Sequence, residues 1–190
     1  LEVAAAENRA RFGLRGGSAF RTILFTDIEQ QNELMRSLGD EGGRQVLREH
    51  ERITREALRA HGGEEVKSMG GGFLASFTSA QRALECAAAL QRALHAARLG
   101  ADRPAPLEHG LRVRVGVNAG EPIAEDDDLF GTAVIAAARI ASLAAGGQVL
   151  VANVVHELAA GKGFAFSDRG EQVLRGLEDP VRLWELHWSE

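Results

Sequence analysis

The sequence predicts an α/β sandwich, in which helices pack over a largely antiparallel sheet. The first observation behind this class is a strand at residues 19–26 that is apolar on both faces. The second is a pair of short strands around a glycine turn at residues 70–72, which is typical of a hairpin. The third is a set of long stretches with apolar residues at helical spacing on either side of that hairpin.

The first half of the chain is predicted as strand, helix, hairpin and helix. Strand 19–26 should be central in its sheet because neither of its faces is polar. The following helix carries apolar residues at helical spacing and ends at the glycine pair 62–63. The hairpin consists of strands 65–68 and 73–77, and the segment 78–81 resembles a capping box that begins the next helix.

The second half begins with a loop at residues 100–110, which holds two of the four prolines. Residues 111–117 then alternate between apolar side chains and Arg112, Arg114 and Gly116, so they predict a half-exposed strand. The remaining elements follow in order: an acidic turn at 125–128, a helix at 132–145, a strand at 148–152, a short helix at 154–160 and terminal strands at 164–174 and 181–188.

Composition narrows the class of protein. Residues 1–18 show no closing apolar pattern and are expected to be a linker or the tail of an upstream element, and residues 19–190 to form one domain. A formal net charge of −5 argues against a nucleic-acid partner. The single cysteine, Cys86, excludes a disulfide framework and fits a reducing, cytoplasmic compartment. No apolar run approaches the roughly 20 residues of a membrane-spanning helix.

Four segments carry chemistry in a fixed order. The end of the first strand delivers a carboxylate, and a carboxylate there can hold a hard divalent cation against phosphate oxygens. The segments are Phe25-Thr26-Asp27-Ile28; Glu65-Val66-Lys67 before the glycine turn and Phe73; Asp128-Leu129-Phe130-Gly131 followed by Val134 and Ala137-Ala138-Arg139; and Arg169-Gly170-Glu171 leading to Leu174-Arg175-Gly176. In this order and spacing, from about Phe20 to Trp188, the chain resembles the class III nucleotidyl cyclases, the catalytic domains of adenylate and guanylate cyclases.

The resemblance implies a ferredoxin-like core within a mostly antiparallel sheet, with residues 19–190 as a nucleotidyl cyclase homology domain. Such domains pair head to tail, and each active site takes residues from both protomers. The implied reaction converts ATP into cyclic AMP and pyrophosphate with Mg²⁺ or Mn²⁺. The implied partners are therefore ATP and a second cyclase domain, in a homodimer or a heterodimer.

The resemblance assigns Asp27 to the first metal-binding aspartate, with the Ile28 carbonyl as a further ligand. The alternative for Asp27 is that its carboxylate caps the following helix. Lys67 and Asp128 match the pair that recognises adenine, since an ammonium can donate to a ring nitrogen while a carboxylate accepts from the exocyclic amine. Taken singly, Lys67 would be a solvated strand charge and Asp128 the end of an acidic turn.

Two arginines match the family's phosphate-facing cations. Arg139 lies in an apolar helix, where a charge needs a partner, and a bound phosphate would supply one. The alternative for Arg139 is a salt bridge at the helix edge. Arg175 falls where the family carries a phosphate-binding lysine, and arginine keeps the charge with a different geometry.

Three positions depart from the family pattern. Gly71 stands where the second metal-binding aspartate is expected, by natural loss or by engineering, so one metal site should be weakened or lost. Ile135 replaces the transition-state asparagine and cannot donate a hydrogen bond. Gln30-Gln31-Asn32 replaces a turn of small residues that lets backbone amides approach phosphates.

The expected function is therefore an adenylate-cyclase-like domain with little or no activity of its own. The alternative is a regulatory pseudo-cyclase that binds nucleotide or completes the site of a heterodimer partner in intracellular signalling. An unrelated ferredoxin-like module that binds RNA is disfavoured, because the chain lacks exposed sheet aromatics and has the wrong net charge.

Overall fold

The structure of the chain is a computed structural model that describes residues 19–99 and 111–189. The predicted linker at 1–18 and the whole of the predicted loop at 100–110 lie outside the described residues. The strands are β1 Arg21–Ile28, β2 Glu64–Ser68, β3 Gly72–Phe77, β4 Val113–Gly120, β5 Ile123–Glu125, β6 Asp128–Phe130, β7 Val149–Ala152, β8 Phe166–Gln172 and β9 Val181–Leu186. The helices are α1 Gln31–Ala60, α2 Ala80–Leu99, α3 Thr132–Leu143 and α4 Asn153–Leu158.

Seven strands form one sheet in the order β2-β3-β1-β4-β7-β9-β8. Every neighbouring pair is antiparallel except β4 and β7, which run parallel. Strands β5 and β6 form a separate hairpin. The predicted fold, helices over a mostly antiparallel sheet, is confirmed, and β1 is central because it pairs with β3 on one side and β4 on the other.

The two faces of the sheet bury different sets of side chains. Leu24 and Ile28 of β1 join the main core with residues of α1 and α2. Ile23 and Phe25, which alternate with them, pack with Leu129 of β6 and with α3. Because side chains alternate along a strand, Asp27 shares the second face with Ile23 and Phe25.

Strand β4 is buried, which corrects the prediction of a half-exposed strand. Val115 and Val117 are fully buried in the main core, and on the other face Gly116 lies against the backbone of α3. A Cβ at Gly116 would lie 2.8 Å from the Cα of Ala141, and one at Gly120 would lie 2.9 Å from the Cβ of Ala133. The alternation places Gly116 on an exposed half of the strand, but Gly116 and Gly120 are positions at which a helix lies directly on the sheet.

Several element boundaries differ from the predictions. The first helix begins as early as Gln31 and has a kink at Gly39, where φ is +66°. Helix α2 begins after Ser79, whose hydroxyl accepts a bond from the Arg82 amide, whereas Gln81 bonds to Glu85. The predicted capping box is therefore replaced by a simple serine cap one residue later.

His50 of α1 is fully buried, and neither of its ring nitrogens has a hydrogen-bond partner. Its ring meets Phe73 edge-on, with centroids 5.6 Å apart. Burial lowers the pKa of His50 from 6.5 to about 4, although the charges of Glu51 and Asp27 act in the opposite direction. The folded protein therefore holds this histidine neutral.

The free energy of unfolding should consequently fall on acidification. The folded chain binds the His50 proton more weakly than the unfolded chain, so stability is full above pH 6.5 and is lost as the pH falls towards 4. We expect a loss of at most about 3 kcal/mol over this window. His50→Leu should flatten the pH dependence measured by urea unfolding, whereas His95→Leu, at an exposed site, should not. Equal pH dependence in the parent and His50→Leu would contradict the assignment.

Candidate functional site

The candidate site is centred on the end of β1, where three strands bring polar groups together. Asp27 lies in register with Gly72 of β3 and with Arg114 of β4. The Arg114 guanidinium donates to Asp27 Oδ2 from Nη2 at 2.5 Å and from Nε at 3.0 Å. Both side chains keep about a third of their surface exposed, at 35% for Asp27 and 28% for Arg114. The pair is therefore accessible from solvent.

A second acid–arginine pair continues the same edge. Glu29 Oε2 lies 3.2 Å from Arg112 Nε, and Glu29 Oε1 accepts a bond from the Gly146 amide at 2.8 Å. The Glu29 amide donates to the Arg112 carbonyl, which extends the β1–β4 pairing beyond Ile28. Asp27 does not cap α1, because the residue before that helix is Gln30 and no side chain caps it. The structure thus places Asp27 in an ion pair rather than at a helix start.

The glycine turn between β2 and β3 lies beside Asp27. The Ile28 amide donates to the Gly71 carbonyl at 3.2 Å. Gly71 is buried and has a φ of +152°. The Gln31 side chain lies over it and donates from Nε2 to the Gly70 carbonyl. A Cβ built on Gly71 would lie 2.6 Å from Gln31 Cδ, so the carboxamide takes the space of a side chain at residue 71.

Lys67 and Asp128 meet, although 61 residues separate them in sequence. Lys67 Nζ donates to Asp128 Oδ2 in a short ion pair, and Asp128 Oδ1 accepts a bond from the Leu129 amide at 2.8 Å. The Lys67 ammonium also lies 5.8 Å from the centre of the Phe130 ring. The β5–β6 hairpin brings Asp128 to β2, and Asp126 and Asp127 form its turn at positive φ.

Arg139 and Ile135 share the outer side of α3. Ile135 is 46% exposed, and Arg139 follows one turn later, also exposed. Within residues 19–99 and 111–189, Arg139 has no ion pair or hydrogen bond, so the predicted helix-edge salt bridge is not seen there. The phosphate partner of Arg139 stays a prediction, and Arg139 is open to one because it lies on the outer side of α3, away from the buried residues Ala136, Ala137 and Ile140.

Arg175 lies in the turn after β8 and is exposed. Its neighbour Leu174 is buried with Ile140 of α3 and Leu183 of β9, which fixes the turn against the sheet. Strands β2 and β8 are the two edges of the sheet, so Lys67 sits on one edge and Arg175 follows the other.

Sequence reasoning missed Arg114 and the role of Gln31. The alternating pattern of residues 111–117 predicts only that Arg114 lies on the polar face of a strand. Pairing β1 with β4 in antiparallel register would have set Arg112 and Arg114 opposite Glu29 and Asp27, and this charge pattern was a usable signal. Nothing in the local sequence pointed to the contact between Gln31 and the glycine turn.

These residues do not fit a pair of divalent cations. Among the described parts of the chain, no three histidine, cysteine or acidic side chains form a cluster that could hold a metal ion. Asp27 shares its Oδ2 with Arg114, and Gly71 offers no side-chain ligand. Helices long and apolar enough to cross a membrane are also absent from the described segments.

Residues 19–187 match the model of the adenylate and guanylate cyclase catalytic domain, so the chain belongs to that family. A putative adenylate cyclase 3 of Rhizobium meliloti is 42% identical over 130 residues, which cover 68% of this chain and 21% of that protein. An adenylate cyclase of Podospora anserina is 30% identical and is matched over 87% of this chain and 10% of its own length. The chain therefore spans about a fifth or less of these relatives.

Solved structures agree with the family. An adenylate/guanylate cyclase/hydrolase from Silicibacter pomeroyi superposes with a TM-score of 0.75 at 32% identity, over 90% of this chain and 98% of that one. An adenylate cyclase from Trypanosoma brucei, solved in its monomeric state, gives a TM-score of 0.77 at 28% identity, over 88% and 87% of the two chains.

The residue before α1, Gln30, has a strained backbone conformation whose effect on stability can be measured. Gln30 has a φ of +52°, a left-handed conformation that glycine adopts without steric cost. Gln30→Gly should therefore raise the free energy of unfolding by about 0.5–1 kcal/mol in urea denaturation. Asn32→Gly, two residues on within α1, should lower it by a similar amount. A loss of stability in Gln30→Gly would show that this conformation is not strained.

Proposed function

We propose that this chain is an adenylate-cyclase-like domain that binds ATP and forms little or no cyclic AMP unaided. The observation that carries the proposal is a contrast between two parts of the molecule. The pair expected to recognise adenine, Lys67 and Asp128, is present and in contact. The positions expected to support turnover hold Gly71 and Ile135, neither of which has a polar side-chain atom.

The Lys67–Asp128 pair suits an adenine edge. The ammonium is a donor only and the ionised carboxylate is an acceptor only, so together they complement a ring nitrogen beside an exocyclic amine. In the chain as described, the two groups satisfy each other, with side chains 40% and 22% exposed. A base entering here exchanges an exposed ion pair, which is worth little, for directional hydrogen bonds. Phe130 offers an adjacent apolar ring.

Arginines supply positive charge for a triphosphate. Arg114 of β4 lies opposite the end of β1, where it forms an ion pair with Asp27. Arg139 and Arg175 are exposed and form no ion pair with any described residue. A chain of net charge −5 needs such local cations to attract a tetra-anionic nucleotide. Arg139 and Arg175 are proposed to face the phosphates. Asp27 and the Ile28 carbonyl are proposed as the ligands of a weakened cation site.

Turnover should be impaired for two separate reasons. The family is generally metal-dependent, and here Asp27, the carboxylate at the expected metal position, is engaged by Arg114. Losing the charge stabilisation of a second carboxylate-held cation costs several kcal/mol at a transition state. At Ile135, the loss of one preorganised hydrogen-bond donor typically lowers a rate by about 100- to 1,000-fold.

Cyclase domains typically dimerise, and the surface of this chain suits a partner. Large apolar side chains are exposed on the β5–β6 hairpin and on α3, namely Ile123, Phe130, Ile135 and Leu143. Such a patch is typical of an interaction surface. We assign it to a head-to-tail pairing with a second copy or with another cyclase domain, in the cytoplasm. The alternative function, a regulatory pseudo-cyclase, is favoured by the same contrast between retained and lost residues.

Turnover and binding can be tested separately. The purified chain should bind ATP at millimolar concentration and form negligible cyclic AMP with Mn²⁺. Lys67→Ala should weaken ATP binding about tenfold, the equivalent of one good hydrogen bond. Ser68→Ala, at the exposed neighbouring position, should leave it unchanged. Rapid cyclic AMP formation by the parent would refute the impaired cyclase, and absence of ATP binding would refute a nucleotide-binding role.

Base selectivity tests the other member of the pair. Asp128→Asn keeps the shape of the side chain but adds an amide donor where the exocyclic amine of adenine should donate. The preference for ATP over GTP, measured by competition, should therefore fall about tenfold. Glu125→Gln, at the exposed start of the same hairpin turn, serves as the matched control. Unchanged selectivity in Asp128→Asn would remove Asp128 from base recognition.

A further inference from the structure

The contact between Gln31 and the glycine turn links two departures from the family pattern that lie far apart in the sequence. Gln31 is the first residue of α1, and Gly71 lies between β2 and β3, so 40 positions separate them. The carboxamide of Gln31 covers Gly71, which is buried. Its Nε2 donates to the carbonyl of Gly70. The Gln31 side chain therefore connects the start of α1 to the turn between β2 and β3.

Any side chain at residue 71 would compete with that carboxamide for the same space. A Cβ there would lie 2.6 Å from Gln31 Cδ and 2.9 Å from Nε2, well inside van der Waals contact. It would have to expel the carboxamide and break its bond to Gly70. The backbone at Gly71 has a φ of +152°, which strains any residue with a Cβ. This strain is the same whether or not Gln31 is present.

The charges around the glycine turn do not favour the binding of a divalent cation. Asp27 and Arg114 cancel each other, and Gln31 is neutral, so this part of the turn has no surplus negative charge to attract a divalent cation. The Gly71 carbonyl is already engaged by the Ile28 amide. Asp27, Arg114 and Gln31 thus form a set that is satisfied without a metal ion.

We propose that the Gln31 carboxamide closes the second cation position of this turn, so that residues 31 and 71 act as one coupled pair. A carboxylate at residue 71 becomes usable only when Gln31 is also shortened, and Gly71 alone does not account for the missing site. Gln31 is a positioning residue here, because it acts through the turn and not on a substrate. The inference rests on the proposed function only for the identity of the ligand.

The coupling can be measured as stability without any ligand. Gly71→Asp should lower the midpoint of thermal unfolding, and the loss should be smaller by about 2–4 °C when Gln31→Ala is also present. Asn32→Ala, the adjacent exposed residue, serves as the matched control and should leave the effect of Gly71→Asp unchanged. Additive effects of Gln31→Ala and Gly71→Asp would overturn the coupling.

Cation binding gives the second readout, with Mn²⁺ as the probe and electron paramagnetic resonance as the measurement. Gly71→Asp alone should bind Mn²⁺ about as weakly as the parent, and the double variant with Gln31→Ala about tenfold more tightly. Full gain of affinity in Gly71→Asp alone would show that Gln31 is no barrier. No gain in the folded double variant would likewise overturn the proposal.

The same proteins separate this inference from the proposed function. ATP affinity of the parent should be nearly equal in EDTA and in Mn²⁺, because Gln31 closes the second cation position and Arg114 engages the carboxylate of the first. The double variant should bind ATP more tightly in Mn²⁺ than in EDTA. A strongly Mn²⁺-dependent parent would contradict the closed site. Absence of ATP binding in every variant, with the thermal coupling intact, would refute the nucleotide-binding function and leave the coupled pair standing.

Discussion

The register of β1 with both of its neighbours is the constraint on which the fold and the site depend. Because β1 pairs with β4 along its whole length and with β3 over residues 22–27, one residue near its end is fixed opposite a glycine on one side and an arginine on the other. That residue is Asp27. A shift of one position would turn every side chain of β1 to the opposite face and bury the carboxylate in the main core. The same register allows α3 to rest on Gly116 and Gly120 and so to present its outer side to solvent.

Three polar contacts lie within the candidate site of this chain, while Arg139 and Arg175 have no partner among the described residues. Asp27 is paired with Arg114, Gln31 is bonded to the glycine turn, and Lys67 is paired with Asp128. The three contacts are partly exposed, so each is held by a modest free energy and can be exchanged for a ligand. A metal-binding turn would instead leave a surplus of carboxylate oxygens. These partners are consistent with the function proposed above, in which the chain binds a nucleotide at β2 and β6 but supports turnover poorly.

Much of the fold followed from periodicity, and the exceptions have physical causes. A strand that is apolar on both faces is read directly as central, which held for β1. Strand β4 is also buried on both faces, but its sequence does not predict this. Gly116 is small because a helix backbone approaches it, and a glycine that alternates with valines gives the same pattern as a polar residue on an exposed face. The family resemblance predicts that Lys67 and Asp128 act together on a base, but their ion pair was not predicted, since a contact across 61 residues leaves no local pattern. The contact of Gln31 with Gly71 left none either, because it depends on where two distant backbones meet.

The pattern of retained and altered residues has a consequence for paired domains. In the head-to-tail dimer proposed above, the residues proposed to recognise the base and those at the end of β1 would serve different sites. A protomer with Gly71 and Gln31 then impairs only the site to which it supplies β1, while its Lys67 and Asp128 remain available to the other. Such a chain would be silent as a homodimer, since both sites would contain the altered turn. Beside a partner with an intact turn it would complete one working site, which is the heterodimer role that the proposed function leaves to Lys67 and Asp128.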